Sequence, residues 1–269
     1  MRLLVTNDDG INAPGLWALV KALRDLGEVI VVAPDREQSG VGASFSLHNP
    51  VRVRRLRRRG VRAYAVEGTP GDAVVLGLGY IAKDEAIDMV VAGINQGSNT
   101  GNDVFLSGTV GAALHGHFRG IPSMAVSMPL RKRLRYGTAA QVARTLIPLI
   151  AGNGAFKGLL LNVTVPNLGP EAIKGVEITR LRANLSTFEV KPGNDGRRDY
   201  SWIALSRPKR RRAQIQEGTD VWALRNKRVS ITPLQTDLTA YSAAEGLTGL
   251  RGALAMALGP VGVTEFPAS

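Results

Sequence analysis

Residues 1–15 read MRLLVTNDDGINAPG, and the place where the apolar run stops decides the fold. Arg2 to Thr6 reads as a strand, and Asn7, Asp8, Asp9 and Gly10 make a polar loop at its carboxyl end. Ala13 to Leu26 then reads as a helix with Leu16, Val20 and Leu23 on one face, and Gly27 suits the position just past it. Strand, loop and helix in this order open a βαβ unit. The two adjacent carboxylates pose a separate question. Like charges side by side repel, and a protein relieves the repulsion with solvent, a proton or a cation.

The same alternation continues outward from that start. Val29 to Ala33 is a continuous apolar run, as expected of a strand covered on both faces. Val51 to Leu56 and Val61 to Val66 form a hairpin, with arginines interleaved in its first strand. Thr69-Pro70-Gly71-Asp72 starts a helix: a Thr cap, Pro in the first turn and an acid three residues on. Ile87 to Ala92 is a second buried strand and runs into the loop GINQGSNTGND. Helices are expected over Thr109 to Phe118 and Thr138 to Ile147, the latter ended by Pro148. Strands are expected over Ile121 to Ser127 and Leu159 to Val165.

This spacing predicts an α/β fold, a doubly wound, Rossmann-like and mostly parallel sheet. From about Gly175 the pattern changes. Val176 to Leu181, Tyr200 to Ser206 and Arg228 to Thr232 are strand-like and separated by long polar connections, and a final helix spans Ala243 to Leu258. The extension is therefore β-rich.

Composition removes several classes of chemistry. The 269 residues are 44% hydrophobic and 21% charged, ordinary for a globular chain that buries a core. No apolar run approaches the roughly 18 to 20 residues of a membrane span, and the N-terminus enters strand-like sequence without a signal-peptide pattern. The expectation is a cytoplasmic protein without membrane association, in which the sequons at Asn162 and Asn184 are chance matches. There are no cysteines and only three histidines, His48, His115 and His117. Thiolate chemistry and His-rich metal sites are thereby excluded, and any metal should be a hard cation held by oxygen.

The net charge is +12, from 26 arginines and eight lysines against 22 acids. It concentrates in Val51 to Arg62 (VRVRRLRRRGVR) and Arg207 to Arg212 (RPKRRR). Neither cluster interleaves the aromatics of a stacking platform, so both read as solvated basic surface and nucleic-acid binding is not expected.

In a doubly wound sheet, ligands bind outside the carboxyl ends of the strands. Three polar, glycine-rich segments fall there: Asn7 to Gly10, Pro34 to Gly40 and Gly93 to Asn99. Asp8, Asp9, Ser39 and Asn95 together offer carboxylate, hydroxyl and amide oxygens, a set that suits Mg²⁺ or Mn²⁺ with water completing the shell. A cation site is the simplest answer to the paired carboxylates. Gly40, Gly42 and Gly108 allow backbone N–H groups to approach an anion, and Ser107-Gly108-Thr109 opens a helix whose N-terminus favours phosphate. A cation beside a phosphate cradle implies phosphoryl chemistry.

The segments TNDDGINAPG, APDREQSG, EGTPGDAV, AGINQGSNTGNDVFLSGTVGAA and ITPLQTD, in this order, closely resemble the SurE family of metal-dependent nucleotidases. The resemblance runs from residue 1 to the final helix. It implies that Asp8, Asp9, Ser39 and Asn95 are metal ligands, one divalent ion per subunit. Asp8, Asp9 and Asn95 would be catalytic, with Asn7, Gly40, Gly42, Asn99, Ser107, Gly108 and Thr109 on the phosphate. It further implies hydrolysis of nucleoside 5′- and 3′-monophosphates, with short polyphosphate as a further substrate. The implied organisation is a nucleotidase core over 1–174 and oligomerisation arms with a closing helix over 175–269, exchanged between subunits of a homodimer or homotetramer. The Arg180 to Phe188 stretch and the Arg207 to Arg212 run depart from the expected arm pattern.

Overall fold

A computed structural model describes residues 1–58, 60–183, 187–206 and 215–244, with five further positions between 247 and 257. It divides into two compact units, 1–234 and 235–269. In the larger unit nine strands among the described residues form one mixed sheet. They are β1 (Arg2–Thr6), β2 (Glu28–Pro34), β3 (Val53–Arg58), β4 (Val61–Val66), β5 (Met89–Gln96), β6 (Ser123–Met128), β7 (Leu160–Thr164), β8 (Val176–Ile178) and, after a separate hairpin, β11 (Val229–Pro233). The hairpin consists of β9 (Thr187–Asn194) and β10 (Asp199–Ser206). The order across the sheet is β3-β4-β2-β1-β5-β6-β7-β11-β8. The six strands from β4 to β7 run parallel, while β3 and β11 pair antiparallel with β4 and β7. The α/β, mostly parallel architecture is the one the strand–helix alternation predicts.

Period-two alternation builds two cores from the same strands. Leu3, Val5, Val29, Val31, Met89 and Val91 face one layer, where α1 (Pro14–Leu23) supplies Leu16, Leu19 and Leu23 and α4 (Tyr136–Ile150) supplies Ala139, Ala143 and Ile147. Leu4, Ile30, Val32, Val90 and Ala92 face the other, against Ala73 and Val74 of α2 (Pro70–Leu76) and Val110, Ala112 and Ala113 of α3 (Gly108–His117). All of these side chains are buried, and at about 1.5–3 kcal/mol for each fully buried large aliphatic group they dominate the stability of the sheet.

Local signals map closely onto elements. Thr69 caps α2 in a reciprocal capping box, its hydroxyl accepting from the Asp72 N–H while the Asp72 carboxylate accepts from the Thr69 N–H. The helix of residues 13–26 ends earlier than its apolar pattern, at Leu23. Gly27 instead lets the chain pass against the strand start, since a Cβ there would lie 2.0 Å from the Met1 carbonyl oxygen. Pro148 does not end α4. It sits on the solvent side of the last turn, the helix runs on to Ile150, and Ala151 N–H still donates to the Ile147 carbonyl at 2.8 Å.

The stretch from Gly175 onward serves two places. β8 and β11 extend the main sheet beside β7, and α5 (Asp220–Arg225) packs on β11. Only β9 and β10 form a sheet of their own. The sequence pattern gives no sign of β9 or α5. Of the expected final helix, Ala243 and Ala244 lie in α6 (Tyr241–Ala244), and most of the remainder lies outside the described residues, as do Arg207–Arg212 and Asn184. No described helix is long and apolar enough to cross a membrane.

Candidate active site

The strand order reverses at β1: β2 and β4 lie to one side and β5, β6 and β7 to the other. A crevice opens at such a switch point beyond the carboxyl ends, and Asp8 and Asp9 follow β1 into it. The three polar segments converge here. Gln38 N–H donates to the Asp8 carbonyl at 2.8 Å, bringing the segment after β2 alongside. Gln96 N–H, at the end of β5, donates to Asp9 Oδ2 at 3.3 Å. The Thr109 hydroxyl, in the first turn of α3, donates to Asp8 Oδ1.

Gly108 makes that last approach feasible. A Cβ at this position would lie 2.8 Å from Asp8 Cβ, 3.1 Å from Asp8 Oδ2 and 3.2 Å from the Gln38 carbonyl oxygen. The N-terminus of α3, with its partial positive charge, therefore stands directly against the carboxylate.

Asp8 is only 3% exposed. Burial pushes its carboxyl above the ordinary range, against the opposing hydrogen bonds from Thr109. Asp9 is pushed up to about 6, by burial first and by the Asp8 charge second, and Glu37 adds to both. No ion pair among the described residues reaches Asp8, Asp9 or Glu37. Among the described residues, then, Asp8, Asp9 and the nearby Glu37, whose charge is felt by both, have no ion-pair partner.

Asn95 lies on β5 itself, which extends four residues past Ala92, with a register shift against β6 between Ala92 and Asn95. Its Nδ2 donates to the Gly97 carbonyl at 2.9 Å and to Asn99 Oδ1 at 3.3 Å, leaving its Oδ1 as the acceptor. Ser39 is exposed and its hydroxyl donates to Glu37 at 2.8 Å. Among the described residues no three His, Asp or Glu side chains form a metal cage. The donor set on offer is two carboxylates with neutral oxygens, and it fits a hard cation that keeps part of its water shell. The Asn7 Oδ1, buried without a hydrogen-bond partner in the protein, is a further oxygen beside Asp8.

The residues expected around phosphate fall into two groups. Asn99 is 6% exposed and its Nδ2 is a buried donor with no partner among the described residues. Gly108 opens α3, and Ser107 caps it by accepting from the Val110 N–H at 3.1 Å. Gly40 stands exposed in the segment after β2. Three others are committed elsewhere. The Thr109 side chain is fully buried against Asp8, so it orients a carboxylate instead of meeting an anion. Gly42 N–H donates to the Leu106 carbonyl at 3.0 Å. Asn7 Nδ2 donates to the Gly10 carbonyl at 3.0 Å and shapes the turn after β1.

Several contributors are not evident from the sequence. Glu37 supplies a third nearby carboxylate, and the Tyr136 phenol has its pKa raised by burial first and by the Asp9 charge second. Beneath the loop after β5, Ser127 Oγ accepts from Asn99 N–H at 3.3 Å and shares a hydrogen bond with Thr164 Oγ1 at 3.0 Å. Asn162 Nδ2 donates to the Asn99 carbonyl at 2.6 Å. Polar Asn162 and Thr164 alternating in a buried strand were the available signal. The apparent sequon at Asn162 is a buried brace.

Known proteins share the sequence and fold of this chain. The family model described as Survival protein SurE matches residues 3–187. Proteins named 5′-nucleotidase SurE from Dehalococcoides mccartyi and Vibrio parahaemolyticus are 44% and 40% identical over 246 and 248 residues. These alignments cover 88% and 92% of this chain, and 90% and 93% of the relatives. The crystal structure of the SurE protein from Aquifex aeolicus superposes with a TM-score of 0.79 at 38% identity, covering 93% of this chain and all of the other. With likeness of this extent in both sequence and doubly wound fold, the chain belongs to the SurE family.

Proposed function

We propose that this chain is a 5′-nucleotidase, a phosphomonoesterase that cleaves nucleoside 5′-monophosphates to nucleoside and phosphate with the help of one hard divalent cation, Mg²⁺ or Mn²⁺. The observation that carries the reading is the convergence of Asp8, Asp9 and the N-terminus of α3 on one crevice, with no ion pair to either carboxylate among the described residues. Relatives at 40–44% identity that bear the nucleotidase name support it.

Asp8, Asp9, Ser39 and Asn95 would hold the cation, which when bound neutralises charge on the phosphoryl group and lowers the pKa of water. The remaining steps belong to the chain. Thr109 fixes the Asp8 carboxylate, while Asn95 is held by Gly97 and Asn99 with its oxygen free. Asn99 Nδ2 and the opening turn of α3 supply donors for phosphate oxygens. Asp9, beside the cation, is placed to orient or deprotonate the attacking water. We extend the substrate range to 3′-monophosphates and short polyphosphate, the same phosphoester and phosphoanhydride chemistry. The protein acts as a homodimer or homotetramer in the cytoplasm, with arms from the region after residue 174.

Asp9→Asn tests the reading. Cation-dependent release of phosphate from nucleoside monophosphates should vanish and calorimetric binding of Mn²⁺ should weaken at least tenfold, with circular dichroism unchanged. Turnover near wild type would reject the site.

A further inference from the structure

Asp220 is fully buried, opens α5, and lies far from the cation site in sequence. Its carboxylate accepts three backbone hydrogen bonds. Oδ2 takes the Gly101 N–H at 2.6 Å; Oδ1 takes the Arg182 N–H at 3.1 Å and the Val221 N–H at 2.7 Å. These donors come from three places. Gly101 ends the loop that carries Asn99. Arg182 leads toward the β9–β10 hairpin and Val221 follows it. The two hairpin legs are also paired with each other: Arg180 N–H donates to the Gly218 carbonyl and Asp220 N–H to the Arg180 carbonyl, both at 3.0 Å.

The loop of residues 97–101 is also held at Gly97, whose N–H donates to the Met128 carbonyl at 3.0 Å and whose carbonyl accepts from Asn95, and at Asn99 by Ser127, Asn162 and Asn95. Gly101 is its third anchor. Without that anchor the far end of the loop is no longer tied to α5, and the segment that carries Asn99 Nδ2, a buried donor with no partner among the described residues, is less firmly set.

We propose that Asp220 is a positioning residue, a single carboxylate that joins the base of the β9–β10 hairpin to the substrate loop and sets Asn99 for a phosphate oxygen. The proposal rests on the phosphomonoesterase reading above. A charge-assisted hydrogen bond to a backbone N–H is among the stronger ones available, and one carboxylate accepting from both segments makes their positions interdependent.

Asp220→Asn separates the two halves of the contact. With its remaining oxygen facing Arg182 and Val221, the amide group presents N–H to the Gly101 N–H, so the loop anchor is lost while the hairpin base is kept. Asp220→Ala removes both. Amide hydrogen exchange of residues 97–106 in the metal-free protein reads the anchor directly and needs no activity. Faster exchange confined to that segment in Asp220→Asn, and in Asp220→Ala also around residues 180–182, is expected. In the cation-loaded protein KM for a nucleoside monophosphate and the inhibition constant of inorganic phosphate should rise about tenfold in Asp220→Asn, as if only a tenth of the molecules held a competent loop, with kcat changed less than about threefold. Unchanged exchange at 97–106, or a loss confined to kcat, overturns the proposal. So does exchange that accelerates evenly across the whole sheet, which marks a general folding role. If the wild type proves inactive on nucleotides, the nucleotidase reading fails, while the exchange pattern still decides the anchor.

Discussion

Gly108→Ala puts one methyl group between α3 and Asp8, and the consequences can be worked from the distances. The added Cβ would stand 2.8 Å from Asp8 Cβ, whereas carbon atoms rest about 3.5–4.0 Å apart. Something must move by roughly 0.7–1.2 Å. Neither side can yield easily, because Asp8 is tied through its carbonyl to Gln38 and through its carboxylate to Thr109, and the Gln38 carbonyl is itself only 3.2 Å from the new atom. The backbone conformation at Gly108 is ordinary helix, so alanine would elsewhere stabilise this turn by about 0.4–1 kcal/mol. Overpacking costs about 1–3 kcal/mol. The net loss is on the order of 1 kcal/mol, a fall in Tm of roughly 2–4 °C for a chain of this size. Activity should suffer far more, since a displacement near 1 Å in a catalytic constellation costs on the order of 10²-fold. Differential scanning calorimetry of the metal-free protein and titration with Mn²⁺ measure the two effects separately. A variant with wild-type turnover and wild-type Mn²⁺ affinity would refute the claim that α3 is pressed against a cation ligand.

Other outcomes follow from the same geometry. Asp9 has a folded-state pKa of about 6 against an ordinary 3.8, so the folded state holds the proton more tightly than the unfolded chain. Its stabilising contribution is complete below about pH 4 and disappears as pH rises through 6; the Tm of metal-free protein should fall across that window, and Mn²⁺ should flatten the curve. A rising Tm from about pH 4 to 7 without metal would contradict the burial of these carboxylates. In the hairpin, Trp202 and Ile203 are 68% and 74% exposed, so Trp202→Lys with Ile203→Lys should drive the oligomer toward a 28.7 kDa monomer by light scattering. A wild type that already runs as a monomer would dismiss the arms.

How much of this was legible in the sequence depends on the reach of each signal. β1, the β3–β4 hairpin and the Thr69 cap are written in runs of a few residues, and they stand where local pattern puts them. β9 contains Pro192 and Gly193 and reads as a break, yet Pro192 is accommodated in an isolated two-stranded ribbon, where a missing N–H costs no central ladder. α5 is six residues long, too short for periodicity to reveal. At the site, Asp8 and Asp9 stand out as an adjacent pair at a strand end. Thr109 falls in the right turn, but only the fold shows its hydroxyl on Asp8. Asp220 and Gly101 are 119 residues apart, and no local rule connects them.

β3 stands at one end of the sheet order, and Arg54, Arg55, Arg57 and Arg58 on it are all solvent-exposed. A terminal strand offers an unpaired row of N–H and C=O groups to any other chain that arrives in extended form. Here a second copy arriving edge to edge must bring guanidinium groups against guanidinium groups, and like charges directly opposite are destabilising. The arginine surplus that reads as solvated basic surface therefore has a colloidal consequence: it should keep concentrated protein from growing ribbons through its open side. That protection is electrostatic and shrinks as the Debye length falls from about 8 Å in physiological salt to about 3 Å at about 1 M. Molar salt is thus the condition under which this protein should begin to polymerise along β3.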